Sequence, residues 1–123
     1  MSVRHISKLV PMLYTTDIPG TIDFYVKELG FICDAYEKDW GWASLSFEGV
    51  EIMLALPNQH IAFVKPEFTG SFYFQTPDVD LFWSQLKEKA RVLYPLESFE
   101  YGMREFAILD NNGYALQFGT PVN

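Results

Sequence analysis

The feature that most constrains this chain is an internal repeat. Val10–Asp17 (VPMLYTTD) reads against Ser71–Asp78 (SFYFQTPD) at an offset of 61 residues, with Thr15 and Asp17 falling on Thr76 and Asp78. The offset carries Trp40-Gly41-Trp42 onto Tyr101-Gly102-Met103. After an insertion near Asn111 it becomes 64, and Gly49–Pro57 lies on Gly113–Pro121. Identities are few, but apolar positions, Gly, Asp and Pro coincide. A period of half the chain implies two copies of one supersecondary module rather than a solenoid.

Each half reads as β-α-β-β-β. In the first, Leu9–Thr15 alternates as a strand. Thr16-Asp17 supplies a helix N-cap and Pro19 sits near the first helical position. Ile18, Ile22, Tyr25, Val26 and Leu29 follow at helical spacing, and Gly30 suits a left-handed helix end. Phe31–Tyr36 is a strand, Glu37–Asp39 a turn, and Trp42–Phe47 with Val50–Leu56 a hairpin about Glu48-Gly49. In the second, Ser71–Thr76 is a strand, and Pro77-Asp78 opens a helix carrying Val79, Phe82, Trp83, Leu86 and Ala90. Val92–Leu96 is a strand and Ser98–Gly102 a loop. Arg104–Leu109 and Tyr114–Phe118 form a hairpin across Asp110-Asn111-Asn112-Gly113, a strong turn signal. The predicted fold is α+β: tandem βαβββ modules forming two curled mixed sheets around a cleft. It occupies one domain over residues 1–123, with module one at about 7–57, a connector at 58–70 and module two at about 71–121.

At 123 residues the chain is long enough for one domain and too short for two. Its 49% hydrophobic and 17% aromatic content supports a substantial core, with apolar area left over for a pocket or a subunit contact. A net charge of −7 argues against a nucleic-acid partner, since phosphate binding needs clustered Lys and Arg. No apolar run reaches membrane-span length, so no membrane partner is expected. The opening MSVRHISK lacks an apolar signal region, and the single Cys33 cannot form an internal disulfide. Both point to a cytoplasmic protein. Cys33 lies in an apolar strand and reads as a core residue rather than a nucleophile. There is no phosphate-cradling glycine loop, cysteine pair or Gly-x-Ser-x-Gly elbow.

Two stretches carry a family resemblance: Thr16-Asp17-Ile18 leading to Ile22-Asp23-Phe24-Tyr25 and Leu29-Gly30-Phe31, and Tyr101–Phe106 followed by Asp110–Tyr114. With the repeat, they make the chain resemble the vicinal oxygen chelate superfamily of glyoxalases, extradiol dioxygenases and fosfomycin- and bleomycin-resistance proteins. The resemblance covers essentially the whole chain. Metal enzymes of that superfamily take ligands from four strand positions, two per module. The resemblance puts those positions at Val10, Met53, Ser71 and Gln117, and the repeat pairs Val10 with Ser71 and Met53 with Gln117. A hard or borderline divalent ion needs imidazole and carboxylate ligands. This set offers none, so no metal and no cofactor is expected. Rescue by His5 would need a five-residue slip that turns the opposite strand face inward, and His60 lies in the connector.

Strand alternation names the residues facing the cleft. The expected ligand-binding set is Tyr14, Trp40, Trp42, Ser44, Met53, Tyr73, Gln75, Tyr101, Met103 and Gln117, with Trp40–Trp42 and Tyr101–Met103 as matching lips. Aromatic faces attract cations and Met adapts to irregular shapes. The expected partner is therefore a small amphipathic ligand, cationic or neutral. An uncovered sheet face also implies a homodimer. Glu51 and Glu105 are the weak catalytic candidates, as general bases. Arg104 is expected to anchor the Ser98–Gly102 loop. The leading reading is a metal-free sequestering protein like the bleomycin-resistance branch, an antibiotic-resistance function, leaning away from an enzyme. Two alternatives stay open: a glyoxalase-type lyase, isomerase or other enzyme with a non-standard site, and a non-catalytic regulatory module with a vestigial pocket.

Overall fold

A computed structural model describes residues 5, 7–57, 63–68 and 70–122; His60 and much of the connector lie outside them. Module one runs β1 (Met12–Tyr14), α1 (Ile18–Asp23), a π-helical segment (Phe24–Leu29), β2 (Ile32–Glu37), a 3₁₀ turn (Lys38–Trp40), β3 (Trp42–Phe47) and β4 (Val50–Ala55). Module two runs β5 (Phe72–Gln75), α2 (Val79–Leu86), β6 (Arg91–Ser98), β7 (Met103–Leu109) and β8 (Ala115–Pro121). Each forms a mixed four-stranded sheet, in the orders β1-β4-β3-β2 and β5-β8-β7-β6. The parallel pairs are β1 with β4 and β5 with β8. The fold is α+β, and its two sheets stay separate instead of closing into a barrel.

The sheet registers test the repeat directly. Met12 pairs with Met53, and their repeat-mates Tyr73 and Gln117 pair with each other. Both offsets, 61 and 64, are therefore real at β1/β5 and β4/β8. The expected offset of 61 at Trp42 is corrected. Trp42 faces Ala55, whose mate Gly119 faces Glu105 rather than Met103. Two inserted residues thus precede β7, and only one lies at the Asn111 tip. Strand parity survives because the slip is even.

Local chemistry explains the elements. Asp17 accepts the Gly20 amide at 3.0 Å, and Pro19 stands in the first turn. Gly30 ends the helical run at φ 89°, a left-handed conformation that glycine adopts without steric cost. Some expected boundaries differ. β1 keeps only three residues, and the predicted single helix continues as π-helical turns after Asp23. β6 extends past Leu96 to Ser98, with register shifts between Val92 and Tyr94 and between Tyr94 and Glu97, the second spanning Pro95. Pro95 cannot donate to the ladder, and such residues sit at edges and bulges.

The helix-side faces of both sheets feed one core. Leu13, Leu45, Ile52 and Leu54 from module one join Phe106, Ile108, Leu116 and Phe118 from module two, with Ile18, Tyr25, Leu29, Val79 and Leu86 from the helical segments. Burying each large side chain stabilises the fold by about 1.5–3 kcal/mol relative to exposure. Phe31 meets Phe74 at 6.3 Å and Phe47 meets Phe82 at 6.2 Å across the module boundary.

Hydrogen bonds then lock one side of that boundary. The Asp110 Oδ1 accepts the amides of Asn112, Gly113 and Tyr114 at 2.8–2.9 Å, and Oδ2 accepts the Tyr25 hydroxyl at 2.7 Å. Burial pushes the Asp110 carboxyl up from its usual range, while these donors pull it back down. The shaped tip presents Asn112 to Thr15 and Thr21. It also seats the Tyr114 hydroxyl on the Tyr14 backbone, accepting from N–H and donating to C=O at 3.0 Å each.

Removing the acceptor strands four donors, whereas removing one donor strands one bond. Asp110→Ala is therefore expected to destabilise by about 3 kcal/mol or more and Tyr25→Phe by about 1–2 kcal/mol. Urea unfolding of the two variants checks both the order and the gap.

Candidate functional site

The parity expected for the helix-free faces holds. Trp42, Ser44, Ser46, Glu51, Met53 and Ala55 are partly accessible, whereas Ala43, Leu45, Ile52 and Leu54 are buried beneath them. Met12 on β1 is 49% exposed and Ile32 on β2 is 64% exposed. Trp42 and Met53 touch, with the indole N–H 3.3 Å from the Met53 sulfur. Ser44 sits beside Met53 in register. The module-one face is thus an apolar, sulfur-rich and aromatic surface.

The module-two face is different. Glu105 is 2% exposed, and both its oxygens are taken. Tyr73 donates to Oε1 at 3.1 Å, Tyr94 donates to Oε2, and the Gln117 amide donates to Oε2 at 3.2 Å. Gln117 also donates to the Tyr94 hydroxyl at 2.7 Å, and its carbonyl accepts from Ser71. Burial pushes Tyr73 up to about 12, helped by its hydrogen bond to Glu105 and that carboxylate's charge. Tyr94 is pushed up by the same causes, with the Gln117 donor opposing them. Gly119 makes the cluster possible: a Cβ there would stand 2.1 Å from the Tyr73 hydroxyl.

Several expected roles change in this setting. Glu105 does not stand free as a base in an open cleft; three donors hold it as the centre of a polar plug. Glu51 is ion-paired with Lys8 at 2.7 Å. Arg104 bonds Asp80 on α2 at 2.7 Å and reaches Ser98 at 3.4 Å, so it ties the helix as well as the loop. Trp40 and Tyr101 are 76% and 66% exposed, and Tyr101 stacks on Phe99 at 5.3 Å. Met103 is half-buried at the start of β7, and Tyr14 is held by its backbone bonds to Tyr114. Gln75 lies at the exposed end of β5 and borders the groove between modules. Among the ten expected residues, the structure therefore unites Trp42, Ser44 and Met53 in one patch and Tyr73 and Gln117 in another. Cys33 is half-buried against the core, and burial raises its thiol.

Sequence reasoning missed Tyr94, Glu37 and Glu97. Glu37 faces Trp42, and Glu97 faces Glu105 across the ladder. Irregularities at Cys33/Ala35 in β2, and at Val92/Tyr94 and Tyr94/Glu97 in β6, interrupt simple alternation. The acidic Glu37 and Glu97, next to bulk-apolar strands, were the available signal.

A metal finds poor ligands here. Val10 has no donor atom, Met53 engages the Trp42 indole, and Ser71 and Gln117 satisfy one another. Among the described residues no three His, Cys, Asp or Glu side chains converge on a metal-sized site. No helix among them is long and apolar enough to cross a membrane.

The model of the glyoxalase/bleomycin resistance protein/dioxygenase superfamily matches residues 3–118. The chain belongs to that superfamily. No curated protein matches it significantly. Among solved structures it is similar to TioX from Micromonospora sp. ML1, at 20% identity and a TM-score of 0.78 over 94% of this chain and 99% of that one. A glyoxalase/bleomycin resistance protein/dioxygenase from Nocardioides aligns at 15% identity and 0.76, over 99% and 87%. An integron cassette protein from the mobile metagenome of V. cholerae aligns at 22% and 0.68, over 97% and 98%. At these identities the likeness concerns the fold, and this superfamily fold hosts several chemistries.

The plug has a titration signature. An unfolded tyrosine ionises near 10, and Tyr73 in the folded chain at about 12. Between those values the unfolded state has lost a proton that the folded state keeps. The stability contributed by this raised group is full below the lower value and lost as pH rises through the upper one. Gly119→Ala should expel the Tyr73 ring and return its ionisation toward 10, read by the ring-carbon NMR shift of labelled tyrosine.

Proposed function

We propose that this protein binds a small amphipathic, cationic molecule without a metal, on the helix-free sheet faces, and that a second copy completes the cleft. The observation that carries this reading is the state of the four superfamily ligand positions. Val10, Met53, Ser71 and Gln117 provide no imidazole or carboxylate, and Gln117 is committed at its carbonyl and its amide to Ser71, Tyr94 and Glu105. Lewis-acid chemistry needs an open coordination position on a well-held ion, and this donor set does not fit one.

What the faces do offer is aromatic, thioether and acidic surface. Trp42 and Met53 form a polarisable floor, and Glu37 stands opposite Trp42 on the neighbouring strand. A cation over an indole face with a carboxylate beside it gains from both. Met12 and Ile32 leave apolar area open beside them, and covering such area by a symmetric partner is the common route to a C₂ dimer. The mechanism is sequestration: the ligand is held and no bond is made or broken. A cytoplasmic setting accords with the single, half-buried Cys33 thiol.

Three measurements test this. Trp42→Ala should weaken binding of a cationic aromatic ligand, bleomycin being the first probe, by about tenfold, the scale of one desolvated cation–aromatic contact. Unchanged affinity removes Trp42 from the site. Sedimentation velocity of the parent should give a dimer. A thermal shift with nickel or zinc, in protein bearing no affinity tag, would instead bring back an enzyme of glyoxalase type.

A further inference from the structure

The repeat places two equivalent junctions between the modules, and the chain treats them unequally. At the first, the Asp110–Gly113 tip and Tyr114 fill the space against β1 and the start of α1. At the second, the Glu48-Gly49 turn and Val50 stand opposite β5 and the start of α2. Val50 is the repeat-mate of Tyr114, and Gln75 is the mate of Tyr14. The second junction is open, forming a groove of about 520 Å³.

Turn length explains the difference. Phe47 pairs with Val50, leaving two residues in the first hairpin's turn. In the second hairpin the Asp110 amide pairs with the Tyr114 carbonyl, leaving three. The shorter turn carries no Asp–Asn tip, and Val in place of Tyr cannot cross to the opposing strand. Among the described residues, the edge groups served at the first junction are therefore unserved at the second. Thr15 and Thr76 both donate their amides to the neighbouring strand at 3.0 Å. By alternation, Tyr14 and Gln75 turn their own N–H and C=O to the free edge. Tyr14 receives the Tyr114 hydroxyl on both groups. Among the described residues no side chain reaches the Gln75 pair. Thr15 donates its hydroxyl to Asn112. Its mate Thr76 accepts the Asp78 amide, and no acceptor for its own proton is present among the described residues.

The walls of the groove are aromatic, from Phe47, Phe74, Phe82 and Phe118. Its rim is acidic, from Glu48 and Asp78. Asp17 caps its helix, but its mate Asp78 makes no side-chain cap. Neither rim carboxylate takes part in an ion pair among the described residues.

We infer that the second junction is a binding site for a phenolic amine. The phenol takes the place that Tyr114 holds at the first junction, accepting from the Gln75 amide and donating to the Gln75 carbonyl. The ring lies among the phenylalanines, and the ammonium group meets Glu48 and Asp78. The protein's own side chain, seated on the equivalent backbone, defines the hydroxyl and the ring; the unpaired acids define the charge. This site lies on the helix side of the sheets and is independent of the faces proposed above to hold a cationic ligand.

The test is a titration of the full, ¹⁵N-labelled chain with tyramine, followed through the Gln75 and Thr76 amides. Saturable shifts at these residues are expected, with p-cresol and phenethylamine each binding more weakly because each lacks one anchor. Val50→Tyr supplies the missing hydroxyl from within and should abolish tyramine binding while raising the melting temperature. Should that variant fail to fold, the exposed pair Glu48→Gln and Asp78→Asn decides the matter. Together they should weaken tyramine by about threefold to fivefold, the scale of partly exposed ion pairs, and leave p-cresol unchanged. Absence of shifts at millimolar tyramine overturns the site. So do shifts confined to Trp42 and Met53, or tyramine affinity unaffected by the charge-removing pair.

Discussion

The Asp110 carboxylate is the interaction on which the module arrangement depends. One of its oxygens folds the turn by gathering three successive amides, and the other takes a hydroxyl from the opposite module. Those two functions in one side chain make the hairpin tip a rigid tenon. Its shape puts Asn112 against the two buried threonines and carries Tyr114 to the edge of β1. Phenylalanine contacts supply area at the boundary, but they fix no direction. A buried, fully bonded polar group does fix one, because any rotation of one module against the other leaves donors without acceptors.

Much of the fold was legible in the chain because the sequence states it twice. Val10–Asp17 against Ser71–Asp78 and the Gly49 and Gly113 segments locate the parallel strand pairs, and the register confirms them. Leu13, Leu45, Leu54, Phe106 and Phe118 fall on the buried face as alternation requires. The misreadings occur where the backbone leaves its regular period. The bulges of β2 and β6 concealed Glu37, Tyr94 and Glu97, and the two residues inserted before β7 shifted Met103 away from Trp42's equivalent. The role of Glu105 was beyond reach for another reason. Its partners Tyr73, Tyr94 and Gln117 come from three different strands, and a bonded carboxylate looks the same in sequence as a free one.

The two helix-free faces have also diverged from each other. In module one the face keeps Trp42, Met53 and Met12 available. In module two the corresponding space holds a network of tyrosine, glutamine and glutamate that satisfies itself. Gly119 is the hinge of that divergence: its mate Ala55 carries the methyl group that would have kept the Tyr73 ring out. The two copies of one module thus carry an accessible apolar face in the first half and a self-satisfied polar face in the second.

The junction has a consequence for how the chain comes into being. Its bonds join Tyr25 to Asp110 and Tyr14 to Tyr114, partners 85 and 100 positions apart. During synthesis the first module can complete its four strands long before those partners leave the ribosome. For that interval the outer edge of β1 presents unpaired backbone groups to the cell, as edge strands do before they are covered. The last hairpin to emerge closes that edge with a single phenol, so a bond between residues 100 positions apart ends the period in which a nascent chain could pair with a neighbour instead of itself.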